Sequence, residues 1–194
     1  DEHRYIIEDD YDSELRLGGK PIPTLRSIDA SDKVIYVNTF TKTLSPSLRI
    51  SYMVLPDTLA KKYYETLSFY SCTVSAFEQY TLAEFIKKGF FGNHINRMRS
   101  YYQNRRDELL HAVKETPALK GAEISEENSG LHFLLRLPTK KSDSELMAEA
   151  RRRGLNIVCL SLFYNEAPES AQHSIVINYS GTDSQNLPDA MRIL

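Results

Sequence analysis

Residues 93 to 115, NHINRMRSYYQNRRDELLHAVKE, limit most strongly what this chain can become. Ile95, Met98, Tyr102, Leu109 and Val113 recur on a broad stripe among charged residues, the spacing of an amphipathic helix. Pro117 stops it. Strand-like and helix-like segments alternate on both sides of this helix. Before it, residues 5–7, 33–38 and 50–55 are apolar runs of strand length. Residues 12–32 between them are rich in turn formers. A helix is then expected from Asp57, read as its cap, with Leu59, Tyr63 and Leu67 on one face. Another is expected over 75–88, with Phe77, Tyr80, Leu82, Ala83 and Phe85 at helical spacing and Gly89 ending it. After the long helix, residues 130–138, 156–160 and 174–180 read as strands, with helices over 143–154 and from 183 onward. This alternation predicts an α/β architecture. A boundary is expected inside the long helix near 105–116. It gives a first domain over 1–110 and a small C-terminal α/β domain over 111–194.

Bulk properties remove several function classes. Hydrophobic residues make up 41% and charged residues 26%, enough for a packed core and too apolar for disorder. The formal net charge is −2 and no block of like charges forms a basic arm, so nothing global points to nucleic acid. The apolar runs are too short to span a bilayer. The charged opening DEHRYIIEDD is no secretory signal. Cys72 and Cys159 lack metal-ligand spacing and read as reduced packing residues of a cytosolic protein. The chain starts at once on a strand-like run, as if cut from a longer protein whose C-terminal part it forms.

The segment TFTKTLSPSLRISYMVLP, from Thr39 to Pro56, carries two charges only, Lys42 and Arg49. It lies between two apolar strands. Thr39 and Thr41 place hydroxyls beside the lysine, and Arg49 offers a forked, permanently charged donor suited to phosphate. Upstream, EDDYD sets Asp9 and Tyr11 just past another strand. The carboxyl ends of strands in an open α/β sheet are where ligands bind. A lysine, a carboxylate, a phenol, hydroxyls and an arginine are the groups pyridoxal phosphate needs. Its aldehyde takes a lysine amine, its pyridine nitrogen a carboxylate, its phosphate Arg and hydroxyl donors. Each residue alone also fits a solvated loop; the combination carries the reading.

The motifs IIEDDYDSELR, VIYVNTFTKTLSPSLRISYMVLP and HINRMRSYYQNRRDELL resemble the C-terminal, aminotransferase-like domain of the MocR/GabR branch of the GntR transcription regulators. The resemblance covers nearly the whole chain and is strongest from residue 5 to 56. It implies an aspartate-aminotransferase-like fold with pyridoxal 5'-phosphate as cofactor. On matching positions, Lys42 resembles the Schiff-base lysine, Asp9 the partner of the pyridine nitrogen and Tyr11 the partner of the ring oxygen. Arg49 resembles a phosphate ligand, with Thr39 and Thr41 as neighbouring phosphate hydroxyls. The resemblance also implies a homodimer. It implies DNA binding only through an N-terminal winged-helix domain absent from these residues, and a first half of the cofactor domain that these residues do not contain.

One departure bears on the ligand. Relatives that sense an amino acid carry an arginine where this sequence has Leu162, in CLSLFYNE, and the strand SIVINYS brings no arginine instead. A carboxylate buried there would go unpaired. The expected effector is therefore a small-molecule amine or a compound related to vitamin B6. The competing expectation is a true aminotransferase working on an amino acid and a 2-oxo acid. His132 is placed toward the cleft of the small domain, in a ligand or structural role, whereas His94 and His111 read as surface residues of the long helix.

Overall fold

A computed structural model describes residues 4–18, 22–128, 130–181 and 184–194. Residues 19–21 of the turn-rich segment, Ser129 and the expected start of the last helix at Asp183 lie outside them. The chain divides into two compact units: Asp1–Leu15 with Lys20–Arg97, and Arg16–Gly19 with Met98–Leu194. The division falls inside the long helix, ahead of the stretch 105–116 to which the sequence points.

The first unit is built on a three-stranded sheet of order β1-β2-β3. Strand β1 (Ile6–Asp9) runs parallel to β2 (Val34–Thr39), and β3 (Ser51–Val54) returns antiparallel. The pairing sets Asp9 opposite Val37, Val37 opposite Met53, and Thr39 opposite Ser51. Acidic side chains fix the connections. Glu8 accepts the Leu25 and Arg26 amides at 2.7 and 2.9 Å, which ties helix α1 (Leu25–Ile28) to β1. Asp29 accepts the amides of Ser31, Lys33 and Val34. These bonds, that from Val34 foremost, hold the Asp29 carboxyl below its usual range.

Helix α2 (Asp57–Leu67) starts one residue differently from the sequence reading. Pro56 is its N-cap and Asp57 lies in the first turn, where a carboxylate meets the positive helix end. The Asp57 amide is taken instead by the Asp32 carboxylate, at 2.8 Å. Helix α3 (Ala76–Lys87) is capped by Ser75, and Gly89 follows at φ +77°, a conformation open to glycine. Neither α2 nor α3 buries a residue in this chain; Phe77 and Tyr80 of the expected stripe lie exposed.

Helix α4 (Phe90–Glu115) begins three residues before its expected start and supplies residues to both units. Ile95, Leu109 and Val113 of its stripe are buried. In the second unit, β4 (Glu123–Ser125), β5 (His132–Arg136) and β6 (Ser174–Asn178) form an antiparallel sheet of order β4-β5-β6. Alternation along β5 sends Phe133 and Leu135 into the core with Ile175 and Tyr179. Burying each such side chain stabilises by about 1.5–3 kcal/mol. Residues 156–160, read as a strand, pair only through the bridge of Cys159 to Ile175 before a 3-10 turn (Leu160–Phe163). Cys159 is fully buried and burial pushes its thiol up to about 11. Cys72 is exposed, against the packing role expected of it.

Helix α5 (Asp143–Arg152) opens on a capping box: Ser142 accepts the Glu145 amide while the Glu145 carboxylate accepts the Ser142 amide at 2.8 Å. Asp143 binds outward, to the His173 amide at 2.8 Å and to the Ser161 hydroxyl. Helix α6 (Leu187–Ile193) ends the chain and buries Leu187 and Met191. Among the described residues no helix is long and apolar enough to cross a membrane, and no His/Cys/Asp/Glu group is arranged to hold a metal.

Candidate cofactor site

The parallel pairing of β1 with β2 brings their carboxyl ends to one edge, where antiparallel β3 begins. Asp9 closes β1, Thr39 closes β2, and the loop carrying Lys42 and Arg49 joins Thr39 to Ser51. Pleat alternation puts Asp9, Val37, Thr39 and Met53 on one face of the sheet.

Of the three consecutive acids in EDDYD, two are engaged elsewhere. Glu8 serves α1, as described. Asp10 accepts the Ser13 hydroxyl at 2.8 Å and the Tyr36 phenol at 2.9 Å. Burial pushes the Tyr36 phenol well above its usual range, against the bond it accepts from Asn38 Nδ2, so it stays protonated and donates. Asp9, between them, is exposed and has no hydrogen-bond or ion-pair partner among the described residues. Strand alternation is the reason: neighbours on a strand face opposite ways.

The loop from 40 to 50 is braced from within. Leu44 N bonds Phe40 O at 2.9 Å, Leu48 N bonds Ser45 O at 3.0 Å, and Phe40 N bonds Ile50 O at 3.0 Å. Thr41 Oγ1 donates to Leu48 O at 3.1 Å, and Thr39 Oγ1 lies 3.2 Å from Ile50 O and 3.0 Å from Thr41 Oγ1. The hydroxyl hydrogens of Thr39 and Thr41 are thus directed into the loop, and each hydroxyl has one to give. Phe40 packs on Tyr52 and Phe91, with ring centroids 5.6 and 5.8 Å away. Lys42 and Arg49 stand on this braced loop, exposed and without a hydrogen-bond or ion-pair partner among the described residues. Tyr11 is 47% exposed and equally uncommitted.

The structure therefore separates the six residues singled out in the sequence. Among the described residues, Asp9 at the end of β1, Tyr11 just beyond it, and Lys42 and Arg49 on the loop after β2 present uncommitted polar groups; Thr39, at the end of β2, and Thr41 brace that loop. In the second unit, Leu162 is 62% exposed on the 3-10 turn, and His132 pairs with Asn178 across β5 and β6. His111 is exposed as expected, but His94 is half-buried and bonded to the carbonyl of Thr43. That partner lies 51 residues away, beyond what any local pattern signals.

Residues 12–194 match the family described as aminotransferase class I and II. This chain belongs to that family. Its relatives include regulators. The uncharacterized HTH-type transcriptional regulator YdeL of Bacillus subtilis is 42% identical over 190 residues, which are 98% of this chain and 40% of that protein. The probable rhizopine catabolism regulatory protein MocR of Rhizobium meliloti is 34% identical over 98% of this chain and 38% of its own length. Among solved structures, Pyrococcus horikoshii kynurenine aminotransferase, crystallised with PMP, superposes with a TM-score of 0.78 at 26% identity, covering 97% of this chain and 46% of that one. The family chain described here thus spans less than half the length of the relatives it matches, and its mixed α/β units are those of an aminotransferase fold.

Proposed function

We propose that this chain is the cofactor-binding, effector-sensing part of a cytoplasmic, dimeric transcription regulator that holds pyridoxal phosphate on Lys42. One observation carries the reading. An amine, a carboxylate, a phenol and a guanidinium follow two parallel strands, and none of the four is satisfied by the described protein. This donor set fits pyridoxal phosphate group by group. Similarity to YdeL and MocR supports a regulator over a metabolic enzyme.

Bound there, pyridoxal phosphate supplies an aldehyde that takes amines and a ring that accepts electrons. Lys42 Nζ would hold that aldehyde through its amine. The Asp9 carboxylate would keep a proton on the ring nitrogen by charge pairing. Tyr11 would donate its phenolic hydrogen to the ring oxygen. Arg49 would receive the phosphate through its fork, in charge-assisted bonds worth about 1.5–3 kcal/mol each. Thr39 and Thr41 hold the loop in shape and would serve the phosphate only by turning their hydroxyls. DNA contact belongs to a helix-turn-helix part outside these residues.

The effector is a small amine or a compound related to vitamin B6, because Leu162 supplies no guanidinium for a carboxylate. A second reading, an aminotransferase acting on an amino acid and a 2-oxo acid, draws support from the likeness to the Pyrococcus enzyme. Borohydride reduction of the full-length gene product with pyridoxal phosphate, followed by peptide mass mapping, tests the site: the phosphopyridoxyl group is expected on Lys42. Mapping to another lysine would overturn the assignment. Sustained conversion of an amino acid and a 2-oxo acid would favour the enzyme.

A further inference from the structure

The turn carrying Lys42 is tethered by a residue that the donor set above does not use. His94 stands near the start of α4, half-buried, and its Nε2 lies 2.9 Å from the carbonyl oxygen of Thr43. A carbonyl accepts only, so Nε2 carries the hydrogen and His94 donates. Thr43 follows Lys42 directly. Thr43 is 1% exposed, and its Oγ1 has no hydrogen-bond partner among the described residues. The residue next to Lys42 is thus fixed twice, by burial of its side chain and by the bond to its carbonyl. The same turn is closed on its other side by Leu44 N to Phe40 O, while Phe91, three residues before His94, stacks edge-on against Phe40 at 5.8 Å. Two side chains of α4 therefore clasp the Phe40–Leu44 turn, one on its aromatic ring and one on its backbone.

We infer that His94 is a positioning residue for Lys42, holding the backbone of the lysine turn against α4 so that the amine is presented in one orientation. A side chain on a long stem reaches a fixed point reproducibly only when its backbone is held. Among the described residues the Lys42 side chain has no hydrogen-bond or ion-pair partner, so the order of the turn comes from Thr43, Leu44 and Phe40. The inference rests on the reading of Lys42 as the cofactor lysine.

The test uses the full-length gene product with His94→Leu, which removes the donor, and His94→Gln, whose amide nitrogen reaches about as far and restores it. Hydrogen exchange of the peptide spanning residues 40–48 is measured without cofactor, and pyridoxal phosphate affinity by titration. The Leu variant is expected to exchange faster there and to bind about three- to tenfold more weakly, the loss of one hydrogen bond. The Gln variant is expected to return both toward wild type, which a purely space-filling role would not do. If the Leu variant fails to fold, His94→Asn replaces it, polar but one methylene short, with the same expectation. Unchanged exchange over 40–48 in the donor-less variant, or a Gln variant as impaired as Leu, would overturn the inference. A wild type that forms no lysine adduct would overturn the reading of Lys42 instead. The cofactor-free exchange arm would still decide whether His94 holds the turn.

Discussion

Thr41 Oγ1 donates to the carbonyl of Leu48 across 3.1 Å, and this bond spans the loop between Lys42 and Arg49. It spaces the amine from the guanidinium with a contact internal to the loop. Thr41→Val keeps the β-branch and removes the hydrogen. The variant is expected to exchange its Leu44 and Leu48 amides faster and to lose cofactor affinity about three- to tenfold, the worth of one ordinary hydrogen bond. Amide exchange and cofactor titration on the full-length protein measure both.

Arg49 is expected to matter through its fork as well as its charge. Arg49→Gln removes charge-assisted bonds to phosphate and should weaken pyridoxal phosphate binding by about ten- to a hundredfold. Arg49→Lys keeps the charge without the planar pair of donors and should fall between the two. Comparing pyridoxal phosphate with pyridoxal separates the phosphate contribution: the Gln variant should lose little affinity for the latter.

Tyr36 supports the acid cluster from beneath. Tyr36→Phe deprives Asp10 of one donor and leaves Asn38 Nδ2 only its longer bond to Glu14 Oε1 at 3.3 Å. Denaturant unfolding should report a loss of about 1 kcal/mol with an unchanged slope. Borohydride trapping at Lys42 should persist, because Asp10 faces away from Asp9.

Acid should loosen α5 in particular. Hydrogen bonds from Ser142 hold the Glu145 carboxyl below its usual range, and the bond from Lys141 does so for Glu149. A carboxyl with a lowered folded pKa binds its proton more readily unfolded. It therefore contributes stability above its ordinary pKa, about 4.3 for Glu, and loses it as pH falls through the folded value. Wild type should lose more stability across that acid limb than Glu145→Gln, which is weaker at neutral pH and flatter below. Unfolding midpoints measured from pH 6 to pH 3 check the two slopes.

Much of this was legible in residues. The runs at 33–38 and 50–55 gave β2 and β3 because β-branched and aromatic side chains with turn residues between them leave few other options. The same pattern predicts a strand at residues 156–160, where the structure has a single bridge. Their apolar composition matches a strand, but the turn held by Asp143 and Ser161 leaves room for one bridge at Cys159. Strand β4 leaves no signal in the sequence, because Glu123–Ser125 offers a single apolar residue and its partner Leu134–Arg136 supplies the pairing. For the site, residue type and place after the strands point to Asp9, Tyr11, Lys42 and Arg49, but do not show that Asp10 is bonded to Ser13 and Tyr36, nor that the Thr41 hydroxyl braces the loop through Leu48. Those distinctions rest on where hydrogens are already spent. His94 was unreadable for the same reason: its partner is a backbone carbonyl, and a carbonyl has no sequence.

The central claim is that Lys42 carries the cofactor. Its most direct test is the absorption spectrum of the full-length protein with pyridoxal phosphate, wild type beside Lys42→Ala. A near-visible band of lysine-bound cofactor in the wild type, replaced in the variant by the spectrum of free pyridoxal phosphate, is the predicted result. Identical spectra from the two proteins would contradict it.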